Sequence, residues 1–175
     1  MRPSKDLVGK PVISIDDGRF VGNVKDIYVD PELNWLVGIH LGTEGLLRRK
    51  ALLIPREAVV VFGVDAVLVK NADVVQDNRE LDAADKWLRL DDLQGRHVDT
   101  PGGTKVGDVG DVLLDQDARV VGLKLNKVHV EGPIAADRTI LRAAVLDTGS
   151  EDGVLTIDLA RAERTAGVSG DAAEA

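Results

Sequence analysis

The chain contains one pattern of residues twice, and this duplication constrains the fold more than any other feature. Residues 6–41 read DLVGKPVISIDDGRFVGNVKDIYVDPELNWLVGIHL, and residues 92–125 follow the same order as DLQGRHVDTPGGTKVGDVGDVLLDQDARVVGLKL. Glycines, valines and aspartates fall at matching places, and the length differences fall in turns, where insertions are tolerated best. Such a pattern predicts two copies of one small structural unit.

Within each copy, short apolar segments separated by glycine- and aspartate-rich turns predict strands. The segment Val21–Val29 alternates, but neither of its faces is purely apolar, which predicts a strand that is partly covered on both sides or carries a bulge. Asp30 in the first copy and Asp115 in the second begin predicted hairpin turns. Many short strands without a long helix between them indicate a small antiparallel barrel or sandwich.

Composition excludes several classes of protein. The 175 residues include no cysteine, so disulfides and thiolate chemistry are excluded. No apolar run approaches the roughly 20 residues of a membrane helix, and the first copy begins so early that no signal peptide is expected. We therefore expect a cytoplasmic protein without membrane insertion. The net charge of −8 argues against non-specific binding to nucleic acid or anionic membranes.

The duplication and the strand pattern predict an all-β protein of two small β-barrels in tandem, joined by a short acidic linker that is partly helical. We expect the first barrel at residues 1–70, the linker at 71–90, the second barrel at 91–159 and a flexible tail at 160–175. In the linker, Asn78 is a predicted helix cap, with the helix running through Leu90.

The ordered motif is Asp-Leu-x-Gly-Lys-x-Val, a turn, Val-Gly-x-Val-x-Asp-Ile-x-Val-Asp, a second turn, and Leu-Val-Gly-Ile-x-Leu. It resembles the PRC-barrel family, which includes the cytoplasmic barrel of the photosynthetic reaction centre H subunit and the C-terminal half of the ribosome maturation factor RimM. The resemblance implies a six-stranded barrel that binds macromolecules and is not an enzyme. RimM carries an unrelated barrel before this unit and the H subunit carries a membrane helix, so the chain is similar to a free-standing tandem PRC-barrel protein.

Three histidines are candidates for catalysis or metal binding: His40, His97 and His129. Either role needs convergent partners. We expect instead that His40, which lies in a predicted strand, is an exposed or half-buried strand residue.

Two pairs of aspartates recur in both copies. Asp26 and Asp111 form one pair, and Asp30 and Asp115 form the other. Their functional interpretation is an acid–base pair or a hard-cation site. Their structural interpretation, which we favour, is that Asp30 and Asp115 start hairpin turns while Asp26 and Asp111 accept bonds from backbone amides near a bulge. We therefore expect no catalytic residue, no metal and no cofactor.

The best candidate for a partner-binding site is the loop after the third predicted strand, with residues Leu46, Leu47, Arg48, Arg49 and Lys50. Its leucines offer apolar contacts to a partner or fold back onto the barrel, and its cations form a docking patch that sets orientation or, as the alternative we favour, a solvated loop. No aromatic side chain accompanies the cations, so stacking on nucleic-acid bases is not supported.

The predicted function is that of a non-enzymatic protein-binding or adaptor module, with a protein partner and possible assembly into a homodimer. One alternative is a ribosome-assembly factor that binds a ribosomal protein or rRNA, which is less favoured because it rests on fold-level analogy. Another alternative is a small-molecule sensor at the interface between the barrels. It would require a polar cleft there, containing His40 or several aspartates.

Overall fold

The computed structural model describes residues 1–47 and 49–166 and confirms an all-β chain. Its strands are β1 (Arg2–Pro3), β2 (Pro11–Ser14), β3 (Phe20–Asn23), β4 (Asp26–Val29), β5 (Leu36–Glu44), β6 (Lys50–Pro55), β7 (Val59–Phe62), β8 (Val67–Val69), β9 (Gln76–Asp77), β10 (Leu88–Arg89), β11 (His97–Asp99), β12 (Lys105–Leu114), β13 (Val120–Val128), β14 (Thr139–Leu141), β15 (Val145–Asp147) and β16 (Leu155–Ile157). Its α-helices are α1 (Leu90–Leu93), α2 (Pro133–Asp137) and α3 (Leu159–Ala166). Short 3-10 turns span Ser4–Leu7, Arg56–Ala58, Ala72–Val74, Asn78–Glu80, Asp82–Lys86 and Arg142–Ala144.

Two units share one plan of strand pairing. The first unit comprises β2–β8 (residues 11–69), and the second comprises β11–β16 (residues 97–157). In the first, β2 pairs antiparallel with β3 and parallel with β8, which also pairs with β7. In the second, β11 pairs antiparallel with β12 and parallel with β16, which also pairs with β15. The repeated pattern of residues therefore folds into a repeated strand topology.

The segment predicted as one strand from Val21 to Val29 is two strands, β3 and β4, that belong to different sheets. All four residues of β4 are buried, because the chain crosses here from one sheet to the other and both of its faces are covered. In the second unit the same stretch is one continuous strand, β12, with irregular register at Asp108–Val109 and Val109–Asp111. Gly110 permits this bend, since a Cβ there would lie 2.9 Å from the backbone nitrogen of Asn126.

The segment that precedes each unit packs on the other unit. Arg2 and Pro3 of β1 pair with β12 of the second unit, while β10 pairs with β4 of the first. The 3-10 turn Ser4–Leu7 follows β1, and α1 follows β10 in the same way. The two units are thus joined by a reciprocal exchange, and one hydrophobic core runs through both.

The hairpin turns of the two units also contact each other. The Leu36 amide donates to the Ala118 carbonyl at 2.9 Å, and the Val120 amide donates to the Asn34 carbonyl at 2.8 Å. These two bonds are reciprocal, because Leu36 and Val120 occupy equivalent places in the repeat, as do Asn34 and Ala118. The guanidinium groups of Arg56 and Arg119 each lie over the Trp35 ring, 4.5 Å and 4.8 Å from its centroid, and such cation–π contacts stabilise the junction.

The linker differs from its prediction. The predicted helix from Asn78 to Leu90 does not form; two 3-10 turns are followed by extended β10. Pairing of Leu88–Arg89 with β4 outweighs the weak helical preference of a short segment with a narrow apolar stripe. The Trp87 ring lies against Gly38, where a Cβ would be 2.9 Å from the ring, so the linker is an integral part of the first unit's surface.

The predicted flexible tail begins instead with helix α3 (Leu159–Ala166), in which Ala162 and Ala166 are buried. The rest of that predicted tail lies outside the described residues. Within residues 1–47 and 49–166, no helix has the length and apolar character needed to cross a bilayer.

Candidate interaction site

The predicted partner-binding loop forms the tip of the β5–β6 hairpin. The strands stay paired as far as Glu44 and Lys50. Gly45 then takes a φ of +95°, a backbone conformation that favours glycine, and turns the chain. Leu46 and Leu47 follow with relative exposures of 102% and 100%. Two adjacent leucines therefore present their whole side chains to solvent.

The cations of this loop differ in their surroundings. Arg49 and Lys50 are exposed, and Arg48 lies outside the described residues. The Lys50 ammonium is 4.0 Å from the Asp77 carboxylate, which also binds the Arg79 guanidinium at 2.6 Å. Hydrogen bonds from Arg79 lower the pKa of Asp77 to about 2, so this carboxylate is charged at neutral pH. Lys50 is thus partly neutralised by a neighbour.

The corresponding connection in the second unit, between β13 and β14, has no such exposed tip. It contains helix α2 (Pro133–Asp137), and Ile134 within this helix is completely buried. One unit therefore folds its connecting segment onto the core, while the other leaves two leucines in solvent.

His40 was expected to be exposed or half-buried, and this prediction is wrong: the residue is 5% exposed. Its Nδ1 lies 2.9 Å from the Tyr28 hydroxyl, and the two rings meet edge to face. Burial lowers the pKa of His40, the charge of Arg89 lowers it further, and Asp26 acts in the opposite direction. Burial likewise raises the pKa of Tyr28. This pair is a neutral, hydrogen-bonded part of the first unit.

The aspartates at Asp26 and Asp111 accept backbone hydrogen bonds, as predicted, from Ile27 at 2.8 Å and Val112 at 2.7 Å. They also hold the exchanged segments, a role that sequence reasoning missed.

Each buried carboxylate binds the segment that leads into the other unit. Asp111 accepts from the Ser4 hydroxyl at 2.6 Å and from the Lys5 amide at 3.3 Å. Asp26 accepts from the Arg89 guanidinium at 3.0 Å and from the Asp91 amide at 3.4 Å. Because both carboxylates are about 5% exposed, these bonds are made in a partly desolvated setting and are stronger than surface ion pairs.

Asp30 and Asp115 form the predicted hairpin turns. Asp30 Oδ1 accepts from the Asn34 amide at 2.8 Å, and Asp115 Oδ1 accepts from the Asp117 and Arg119 amides at 2.9 Å. No group of three or more histidine, aspartate or glutamate side chains converges in a metal-binding arrangement within the part of the chain that the structure describes.

A polar cleft of about 490 Å³ lies where the exchanged segments cross between the units. Its lining includes Lys5, Lys25 and Arg89, together with Asp26 and Asp91. The arrangement brings together cations that lie far apart in the chain, so sequence reasoning had no local signal for it. The small-molecule alternative required a polar cleft with several aspartates; this cleft has two, and ligand binding in it stays a prediction.

Among the comparisons with known proteins, a family model matches the part of the chain that contains the first unit. No curated protein matches the chain. Residues 1–76, which contain the first unit, β1 and the hairpin tip with its exposed leucines, match the family model of the PRC-barrel domain.

Proposed function

We propose that the chain is a non-enzymatic binding module in which both units are PRC-like barrels, and that it attaches to a protein partner through the tip of the β5–β6 hairpin. The family match of residues 1–76 supports a module of this kind. For the second unit, support comes from the strand pairing that it shares with the first.

The single observation that carries this proposal is the exposure of Leu46 and Leu47, at 102% and 100%. Complete burial of a leucine side chain is worth about 1.5–3 kcal/mol, so seating both in a partner supplies a substantial part of a binding free energy. Arg49 stands exposed beside them and can pair with a carboxylate on the rim of the partner's socket. The expected partner therefore presents an apolar socket with an acidic edge.

The test begins with affinity capture from native cell extract by the unaltered chain and by a Leu46→Ser/Leu47→Ser variant. A protein depleted from the variant sample is then purified, and its affinity for both chains is measured by calorimetry. Loss of two buried leucines should weaken binding by at least about 100-fold, since each 1.4 kcal/mol is tenfold.

The matched control is Leu146→Ser, which removes a leucine that is 59% exposed on the second unit. It should leave the affinity for the purified partner unchanged. Equal affinity for the unaltered chain and the double variant would contradict the proposal, as would an equal loss in the control.

A second candidate function, binding of a small anion in the cleft, is favoured by the three cations that line it. Among the described residues, the ammonium groups of Lys5 and Lys25 make no ion pair, while Arg89 is held in place by Asp26. Inorganic pyrophosphate is a suitable probe. Its addition should shift the amide resonances of Lys25 and Arg89, and Lys25→Gln should abolish these shifts while Lys105→Gln, on the second unit, should not. Equal shifts in the Lys25→Gln variant would exclude this function.

The ribosome-assembly alternative rests on the resemblance alone and stays a prediction.

A further inference from the structure

A row of apolar side chains crosses the outer face of the sheet ordered β3-β2-β8-β7. Ile13 lies opposite Phe20 on one side and opposite Leu68 on the other, and Leu68 lies opposite Val61. The residues on either side of Ile13 and of Leu68 are buried. Since side chains alternate between the faces of a strand, Ile13 and Leu68 point away from the core. We call Phe20, Ile13, Leu68 and Val61 the apolar row.

The apolar row is open to solvent at both ends and is extended by its neighbours. Phe20 is 60% exposed and Val61 is 43% exposed. Ile15, two residues beyond Ile13 and 51% exposed, continues the same face. Val60 and Val64, at 58% and 80% exposure, extend it along and beyond β7. A contiguous apolar face of this kind marks an interaction surface more often than an incidental exposure.

The second unit provides an internal control for this row. Its equivalent positions, defined by the same pairing of strands, hold Lys105, Asp99, Thr156 and Asp147: Asp99 lies opposite Lys105 and Thr156, and Thr156 lies opposite Asp147. The same topology thus forms with polar and charged residues in all four places. The apolar residues of the first unit are therefore not required for folding, and a contact with another molecule accounts for them.

Charges of both signs lie at the ends of the same four strands. The strand ends carry Lys10, Arg19 and Lys70 together with Asp16, Asp17 and Asp65. Arg19 lies 3.4 Å from Asp17, and Arg2 adds a positive charge where it donates to the Phe62 carbonyl at the end of β7. A two-fold contact brings a surface against its own copy, so it needs a surface complementary to itself. An apolar centre with charges of both signs on its rim is compatible with this requirement, because a positive charge of one copy can face a negative charge of the other across the axis.

We infer that the outer face of the β3-β2-β8-β7 sheet binds the same face of a second copy of this chain, with the apolar row at the centre of a two-fold dimer. The row spans three strand spacings, about 14 Å. This is small beside the interfaces of obligate dimers, so the dimer should dissociate in the micromolar range. This surface is separate from the β5–β6 tip, so the dimer can be tested independently of the proposed partner binding.

The first experiment measures the sedimentation of the full chain between about 1 and 200 µM, where a micromolar dimer is partly dissociated. The variant Phe20→Lys/Val61→Asp gives the first unit the residues that the second unit carries at the two exposed ends of the row. Because the second unit folds with those residues, the variant should fold, which its circular dichroism and thermal unfolding will establish. We expect its dimer dissociation constant to rise at least about 30-fold.

The second experiment uses the absence of cysteine from the chain. Leu68→Cys places one thiol at the centre of the proposed contact, and Thr156→Cys places one at the equivalent position of the second unit. Under mild oxidation, Leu68→Cys should form a disulfide-linked dimer much faster than Thr156→Cys.

Each outcome decides the inference. A concentration-dependent dimer that is lost in Phe20→Lys/Val61→Asp, kept in Leu46→Ser/Leu47→Ser and cross-linked preferentially through Leu68→Cys supports it. A chain that remains monomeric at about 200 µM overturns it and leaves the face to a different protein. Equal dimerisation of the unaltered chain and the Phe20→Lys/Val61→Asp variant, or equal cross-linking at both cysteine positions, also overturns it.

Discussion

The two units share a strand topology but differ in what they expose, and the difference lies in the surfaces that folding does not need. The second unit buries Ile134 in its β13–β14 connection, whereas the first leaves Leu46 and Leu47 in solvent. The second unit has charged or hydroxyl side chains where the first has the apolar row. Because the same fold tolerates both choices, we propose that the first unit carries the contact surfaces and that the second completes and stabilises it.

The largest expected effect comes from the two connecting segments. Ile134→Ala should lower the free energy of unfolding by about 2–5 kcal/mol, because it leaves a cavity in the core. Leu46→Ala, at the corresponding connection of the first unit, should change it by less than about 0.5 kcal/mol. Unfolding in urea measures both values. Similar losses for the two variants would show that the hairpin tip is packed against the protein in solution.

The next effect concerns the reciprocal exchange. Asp26→Ala and Asp111→Ala should each destabilise the chain by about 2–3 kcal/mol, since each leaves buried donors without an acceptor. Urea unfolding again provides the measurement. Adding Arg89→Ala to Asp26→Ala should lower the free energy of unfolding little further, because Arg89 has already lost its partner. Adding Arg89→Ala to Asp111→Ala should lower it by the full effect of the single Arg89→Ala variant. Equal coupling of Arg89 to both aspartates would contradict the contacts described here.

A smaller effect is expected where arginines hold the hairpin turn of the opposite unit. Arg142 donates to the Leu33 carbonyl at 2.8 Å and to the Glu32 carbonyl at 2.7 Å, and Arg56 donates to the Asp117 carbonyl at 2.5 Å. Replacing either arginine by alanine should lower the free energy of unfolding by about 1–2 kcal/mol. In Arg142→Ala, hydrogen exchange should show faster opening of the turn across the junction, at Glu32 and Leu33, and not of the turn in the same unit. Arg56 also lies over Trp35 of its own unit, so Arg56→Ala should affect both turns. Faster exchange only in the turn of the same unit would contradict these contacts across the junction.

The smallest effect is a pH dependence specific to the first unit, whose buried His40 has no imidazole counterpart in the second. Burial and Arg89 lower the pKa of His40 below its ordinary value of 6.5, so the folded state disfavours protonation while the unfolded state accepts the proton. Stability is therefore complete above pH 6.5 and falls on acidification through the folded pKa, by at most about 1.4 kcal/mol per pH unit. His40→Gln, which keeps a partner for Tyr28, should flatten this slope below pH 6.5. An unchanged slope would assign the titration to another group.

Local chemistry made much of the fold predictable. Asp30 and Asp115 bond to amides two to five residues away, so their turns are visible in the sequence itself. The break within Val21–Val29 was signalled by its mixed faces. These features depend on neighbours in the chain, which is why a pattern of residue types suffices to find them.

Contacts between distant residues were not predictable in this way. The bond from Arg89 to Asp26 joins residues 63 positions apart. The apolar row depends on the register between β2 and β8, which bring Ile13 opposite Leu68. The predicted linker helix was wrong for the same reason, since pairing with β4 decided its conformation. Of the candidate site, the hairpin tip was predicted from its residues, whereas the cleft was not.

The exchange of β1 and β10 between the units has a consequence for how such a chain can arise. In a polypeptide with a single unit, the segment before that unit would have no strand to pair with, and only a second molecule could supply one. Joining two copies end to end makes that encounter intramolecular, at an effective concentration on the order of millimolar. Docking of each segment then no longer depends on the concentration of the protein. Each copy can diverge in sequence at positions that do not contact the other copy.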